Sequence, residues 1–457
     1  RKESSAASDV YKRQNMKGTI IRQVYARQVF SGRGHPAVEA TVVTENGAVG
    51  TAQCTAGMSI GTHEIHFEYD GGTKWRGVGV MNAVHAVNEQ IAPALLGMDA
   101  TRQFEIDHTM INLGGPGAKL RLGGNAVGAV SAAVLKAASE ALHIPLYQHI
   151  GGARAVTLPC AAFGAVTGSN RYSAGIAAAT KPTYSFIAYD FPTFSEACYA
   201  LWRVATRWDT FVQNRWGFKN SRQPSDFYTC TGFVCIPPGV VESDREIWDH
   251  MAEMIAQCGY EGKMGFQVDM AADTYYEKDT DTYFGLFNSI RRSRDEQIGM
   301  CEEMAREYPF VIMEDPLNEN DFEGHAILAE KTGIQIVGDD LFSTNTERVL
   351  CGIRQKSCNT VLLKVNQIGT ITESLEMIEL ANQCGYGVMP CSSRGESIDI
   401  CDYSVGINAT TIRESCFGTP ANRFLQIERE LGSRARFAGK RGLKGARFHS
   451  EKSGVSI

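Results

Sequence analysis

No Cys-x-x-Cys pair occurs among the 13 cysteines of this 457-residue chain. That removes the commonest sequence sign of a zinc or thiol-redox site, and the scattered, odd-numbered cysteines are expected to be reduced thiols in a cytoplasmic protein. Long uncharged apolar runs are missing as well. The most apolar stretch, Ala126 to Leu142, carries Lys136 and Glu140, so it reads as a packed helix and would not span a bilayer. Neither sign of charge dominates. With 45 Lys and Arg against 51 Asp and Glu, the net charge is -6, which gives no reason to expect nucleic acid or an anionic membrane as partner. Residues 1–15 lack the apolar core of a secretory signal and precede the first methionine, so they are expected to be a non-native leader ahead of Met16. Low-complexity segments are absent, and the only internal periodicity is one of strand and helix.

What is present is a series of short apolar runs that each end in a polar residue. They are Gly265-Phe-Gln-Val-Asp269, Phe310-Val-Ile-Met-Glu314-Asp315, Ile334-Gln-Ile-Val-Gly-Asp339-Asp340, Thr360-Val-Leu-Leu-Lys364 and Tyr386-Gly-Val-Met-Pro-Cys391-Ser-Ser-Arg394. Glu314, Asp339 and Lys364 stand 25 residues apart, about one strand-plus-helix unit. That spacing predicts a (β/α) barrel whose strands aim their C-terminal ends at one mouth. Three carboxylates, Asp269, Glu314 and Asp339, would then meet there. Hard oxygen ligands of this kind suit Mg²⁺, and Lys364 beside them reads as a base or, more plainly, as an ion-pair partner of the acids.

Ahead of the barrel the pattern changes. Ile20 to Gln53 alternates apolar and polar residues around Asn46-Gly47, a hairpin signal, so three antiparallel strands are expected. Helical periods follow over 80–88, 103–113 and 125–142. The predicted organisation is an N-terminal α+β domain over 16–150, a barrel over 151–432 joined at Gly151-Gly152, and a basic segment over 433–457. The charges of that last segment, including Arg434, Arg436, Lys440, Arg441, Lys444 and Arg447, are expected to be a solvated surface tail.

Several blocks, in order, resemble the enolase family from about Ile20 to Phe448. Ala26-Arg27-Gln-Val-Phe-Ser31-Gly-Arg33-Gly34-His-Pro36-Ala-Val-Glu39 is similar to the family's A-R-E-I-L-D-S-R-G-N-P-T-V-E opening. Ala56-Gly57-Met58-Ser59-Ile60-Gly61-Thr-His-Glu64 resembles its S-G-A-S-T-G-x-x-E loop. Val87 to Gly97, Glu314 to Asp321, Val337 to Asn345 and Leu363 to Thr370 match further blocks. The resemblance implies an α/β fold, an enolase-type (β/α)8 barrel preceded by the N-terminal domain. It further implies a Mg²⁺-dependent lyase that dehydrates 2-phosphoglycerate to phosphoenolpyruvate in glycolysis, and a cytoplasmic homodimer in which Arg22, Arg27 and Glu39 are candidate interface residues. By the same resemblance Lys364 is the base that takes the proton beside the substrate carboxylate, Asp269, Glu314 and Asp339 hold the metal, and Ser59 of the loop is the residue available to a second metal.

Departures from the family fall on substrate handling. The acidic G-D-E-G-G loop, source of the proton donor, aligns with Thr229-Cys230-Thr231-Gly232-Phe233. A second glutamate becomes Ser185, and a histidine becomes Arg171. The S-H-R-S-G-E loop aligns with Cys391-Ser392-Ser393-Arg394-Gly395-Glu396, and the lysine of I-K-T-G becomes Arg413. Arg413, Arg394, Ser393 and Arg171 are therefore the expected substrate-binding residues, an anion pocket of altered shape in which Arg413 suits bidentate grip of a carboxylate. Glu242, Asp244 and Tyr184 are candidate donors by position in sequence only, with packing duty the plainer reading of each. Two alternatives to the 2-phosphoglycerate reading follow: a paralogue acting on another phosphorylated or phosphonate acid, or an enolase-fold protein that binds a ligand without turnover.

Overall fold

The computed structural model describes residues 18–32, 34–57, 61–115, 117–168, 170–175, 181–217, 233–391 and 395–449. Strands β1 (Ile21–Phe30), β2 (Pro36–Thr44) and β3 (Val49–Cys54) form the expected antiparallel sheet. Asn46 and Gly47 make the turn between the last two, Gly47 with the positive φ of 86° that such a turn needs. Helices α1 (Gln103–Ile111) and α2 (Gly124–Ala141) follow. The 80–88 helix runs on to Leu95 through a wide turn at Val87–Ile91.

Helix α2 is apolar nearly all round because it is covered on both sides. Ala126, Val127, Val130 and Val134 pack under the N-terminal sheet, while Leu135 belongs to the barrel core. Buried Asp107 of α1 ties the two parts together. It accepts from Ser131 Oγ at 2.6 Å and from Thr372 N and Oγ1 at 2.9 and 2.7 Å, so one carboxylate links α1, α2 and a barrel helix. No single helix is long and apolar enough to cross a membrane.

The barrel strands are β4 (Cys160–Thr167), β5 (Thr183–Ala188), β6 (Met264–Asp269), β7 (Phe310–Glu314), β8 (Gln335–Gly338), β9 (Thr360–Leu363), β10 (Gly387–Pro390) and β11 (Thr411–Ser415). Their order in the sheet is β10-β9-β8-β7-β6-β5-β4-β11, and a bridge between Cys391 and Arg413 closes the ring. Strand β5 is antiparallel to both neighbours; the remaining pairings along this path are parallel. Helices lie outside, among them α3 (Phe194–Trp216), α4 (Asp244–Gln257), α5 (Arg294–Glu307), α6 (Phe322–Thr332), α7 (Thr346–Gln355), α8 (Ile371–Gln383), α9 (Asp399–Gly406) and α10 (Gly418–Leu431).

Strand residues alternate between two cores. Tyr184, Phe186, Phe266, Val268, Val361 and Leu363 face the helices. Ile187, Ile312, Val337, Leu362 and Met389 fill the inside of the ring with Cys160 and Ala162. The period of two then places Glu314 two residues beyond Ile312, Asp339 two beyond Val337 and Lys364 two beyond Leu362, all on the inner face at the mouth. The opposite end is closed by the basic C-terminal segment, which corrects the expectation of a simple tail. Arg434, Arg436, Lys440 and Arg441 are solvated as read, but Leu443 inserts into the inner core and Arg436–Phe437 pairs with Thr157–Leu158.

Candidate active site

Register brings the acids together. Glu314 pairs with Asp269 across β7 and β6, and Asp269 with Thr183 across β6 and β5. Asp339 and Lys364 immediately follow β8 and β9. Four of the five are less than 4% exposed, Thr183 being slightly more open.

Three cations face these carboxylates. Lys364 Nζ donates to Asp339 Oδ2 through a short contact, Lys181 Nζ to Asp269 Oδ2 through another, and Arg413 reaches the same Asp269 oxygen. The other arm of the Arg413 guanidinium holds Glu314 Oε1 at 2.8 Å. Glu314 Oε2 is buried with no hydrogen-bond partner among the described residues. Gln367 steadies Asp339 from the far side, donating to Oδ1 at 3.0 Å, while Thr344 Oγ1 fixes the Gln367 amide at 2.8 Å and accepts the Lys364 backbone N–H at 3.1 Å.

A second pair of acids lies just behind. Asp315 accepts the backbone N–H groups of Asp339 and Asp340 at 2.9 and 2.8 Å and so shapes the turn that presents them. Among the described residues, Asp315, Asp339 and Asp340 form a carboxylate group with ligand-capable oxygens within 4.8 Å of one another. Both Asp315 oxygens, however, are spent on backbone donors.

Five carboxylates thus share three cations, and the surplus shows in their proton affinities. Burial first, then the neighbouring Asp339, push Asp340 up to about 7. Burial and Asp340 hold Asp315 well above the usual carboxylate range. Burial raises Glu314 against the pull of Arg413. Among the amines, burial and then Arg413 bring Lys181 down to about 8. Surplus buried negative charge on hard oxygens, two of them, Glu314 Oε2 and Asp340 Oδ1, without a hydrogen-bond partner among the described residues, is the chemistry that a small divalent cation satisfies. The residues present fit Mg²⁺.

The N-terminal domain reaches over this mouth. Thr62 donates to Glu319 through its backbone N–H and its hydroxyl, Ile65 N donates to Gln367 O at 2.9 Å, and Gln367 Nε2 also donates to Glu64 at 3.2 Å.

Of the residues expected from sequence, Lys364, Asp269, Glu314, Asp339 and Arg413 meet here. Arg171 does not join them. Its guanidinium grips Asp244 with two bonds of 3.0 and 2.9 Å, and Tyr172 and Tyr184 donate to the same carboxylate at 2.8 and 2.6 Å. With Arg171 and Asp244 both almost wholly buried, its fork is filled by a protein carboxylate and is not presented to an anion. Asp244 and Tyr184, weighed as proton donors, are packed in this same cluster. Ser59, Ser393, Arg394 and Thr229–Gly232 lie outside the described residues.

Lys181 was missed. It precedes β5 instead of following a strand, so the search for polar residues after apolar runs looks at the wrong end. The signal that existed was alternation: Lys181, Thr183, Ser185 and Ile187 share one face, and Ile187 is inside the ring.

Comparison with known proteins gives a consistent picture. Residues 21–150 match the family described as enolase, N-terminal domain, and residues 229–446 the one described as enolase, C-terminal TIM barrel domain. The enolase of Methanocaldococcus jannaschii is 36% identical over 430 residues, covering 92% of this chain and 97% of its own. That of Methanococcus aeolicus is 38% identical over 431 residues, with the same coverage of both chains. That of Bifidobacterium adolescentis is 36% identical over 440 residues, 93% of this chain and 98% of its own.

Proposed function

The chain belongs to the enolase family, and from that premise we propose that Lys364 is its catalytic base and that Asp269, Glu314 and Asp339 hold Mg²⁺. The activity is that of a phosphopyruvate hydratase-like lyase, dehydrating 2-phosphoglycerate to phosphoenolpyruvate in glycolysis. The carrying observation is the placement of the Lys364 amine on Asp339, inside the ring and beside Asp269 and Glu314.

When bound, the metal supplies positive charge that holds the substrate carboxylate and stabilises the enolate form of the acid. The protein's own described groups remove the proton and position the reacting parts. Lys364 Nζ takes the proton from the carbon next to the carboxylate, which it can do only in its neutral form. Gln367 and Thr344 keep Asp339 and the Lys364 backbone in place. Arg413 bridges Asp269 and Glu314 with its guanidinium and so holds the two strand ends together at the mouth. Glu64 and Thr62 bring the N-terminal domain over the mouth, which excludes water from the reacting carbon.

The test is exchange. With Mg²⁺ and 2-phosphoglycerate in D₂O, loss of the carbon-bound proton together with phosphoenolpyruvate formation supports the reading. Exchange without product keeps Lys364 as base and denies dehydration, and neither denies both. Ser185 in place of a glutamate, with Lys181 on the same strand face, favours a second reading in which the preferred substrate is another phosphorylated carboxylic acid. Assaying a panel of such acids separates the two.

We also propose a cytoplasmic homodimer formed through the N-terminal sheet. Tyr25 and Phe30 are exposed on β1, and Phe30 meets Trp75 edge-on at 5.4 Å, an apolar face of the kind that oligomers cover. Sedimentation of the purified protein reads its mass.

A further inference from the structure

Lys181 is held with more care than an incidental surface lysine receives. Its backbone carbonyl accepts the Tyr275 hydroxyl. Its main chain also lies so close to Gly168 that a Cβ there would stand 1.9 Å from its carbonyl oxygen and 2.3 Å from its nitrogen. Only glycine at 168 allows that approach. Two residues on, Thr183 is in register with Asp269, so the lysine enters the ring at the level of the acids. Its side chain is 9% exposed and that of Asp269 is 3% exposed.

The pairing it makes is redundant. Asp269 Oδ2 already receives Arg413, so two cations share one oxygen while Glu314 Oε2 has no partner. A structural ion pair would gain more by dividing the cations between the acids. Redundancy at one oxygen instead suits an exchange, because Asp269 can give up Lys181 and remain paired. Position 185, on the same inward face, is a serine. A released ammonium therefore meets no carboxylate on its own strand at that position.

We propose that Lys181 is a tethered counter-ion that occupies Asp269 until the divalent metal takes that oxygen, and whose freed ammonium then binds the anionic group of the substrate. This rests on the reading of Asp269, Glu314 and Asp339 as the metal site. The long flexible stem of lysine allows the move without shifting the backbone that Tyr275 and Gly168 fix. Metal and substrate are thereby coupled. The ammonium competes with the metal while the site lacks substrate, and it rewards substrate binding once the metal is in, so each ligand raises the affinity for the other by the same factor.

Isothermal titration calorimetry of the full chain with MgCl₂ alone, and then with 2-phosphoglycerate at saturating Mg²⁺, tests this. In Lys181→Met the competitor is gone, so Mg²⁺ should bind about 5-fold or more tighter than to the wild type. 2-Phosphoglycerate should bind about 5-fold or more weaker, both within the usual range of such couplings. Lys181→Gln, which keeps a polar tip without the charge, should behave the same way and serves where the methionine variant does not fold. Lys181→Arg, which keeps the charge, should stay near wild type for Mg²⁺. Unchanged or weaker Mg²⁺ binding in the folded neutral variants overturns the role of Lys181 and leaves the metal site standing. Wild-type protein that takes up no Mg²⁺ overturns the metal site itself and this inference with it.

Discussion

Replacing Arg413 by Met should destabilise the metal-free protein in a pH-dependent way, and the structure sets the size of the effect. Glu314 is fully buried; its Oε1 is held by Arg413 at 2.8 Å and its Oε2 has no partner among the described residues. Removing the guanidinium leaves a buried carboxylate with neither oxygen paired, and breaking such a pair from one side costs about 3–5 kcal/mol. Asp269 loses less, because Lys181 still holds the oxygen they shared. Burial already raises the Glu314 pKa, and Arg413 is the largest influence lowering it. In Arg413→Met that pKa therefore rises further. A carboxyl raised above its unfolded value favours the folded state below the unfolded pKa, and that support is lost as pH rises through the folded value. The variant's deficit should accordingly be smaller at pH 4, below the ordinary glutamate value, than at pH 8. At roughly 2 °C per kcal/mol for a chain of this size, the pH 8 melting point should fall by about 6–10 °C. Thermal melts followed by circular dichroism in EDTA at both pH values measure it, and saturating Mg²⁺ should narrow the pH 8 gap by replacing the lost charge. A melting point unchanged at pH 8, or lowered equally at both pH values, refutes the claim that Arg413 neutralises Glu314.

Lys364→Ala should slow exchange of the carbon-bound proton of 2-phosphoglycerate in D₂O by at least about 10²-fold while Mg²⁺ uptake persists; proton NMR follows the exchange. Asp340, raised to about 7 from an ordinary 3.8, draws down metal-free stability as pH climbs between those two values. Asp340→Asn should therefore stabilise the EDTA-treated protein at pH 8, by up to about 4 kcal/mol, and much less at pH 4, as urea unfolding at the two pH values would show. Asp107→Ala strips the bonds that join α1 and α2 to Thr372 of α8 and should cost about 2–4 kcal/mol, visible as a lower urea midpoint.

The barrel was legible because each strand-helix unit obeys the same local rules. Glu314, Asp339 and Lys364 recur at equal intervals since each closes a strand whose length and inward face are set by the same pleat. The hairpin at Asn46-Gly47 was legible for the same reason, a turn whose backbone demands are met within two residues. What escaped depends on partners remote in sequence. Arg171 looked like an anion binder until Asp244, 73 residues on, filled its fork. Lys181 was hidden because β5 runs against its neighbours, so its mouth-facing end comes first in the chain. Leu443 sits in a stretch dominated by charge, and only closure of the ring shows that one apolar residue among those charges stoppers the inner core.

The reversal of β5 also bears on how such an enzyme can change its diet over generations. In the forward units, a side chain at the mouth sits on the strand's exit, and the chain must still arrive in time to begin the next helix. Lys181 stands instead at the entrance of β5, where no helix has to begin after it. A change of side chain at 181 therefore alters the mouth without disturbing the start of any helix, so new selectivity can be sampled there without endangering the architecture.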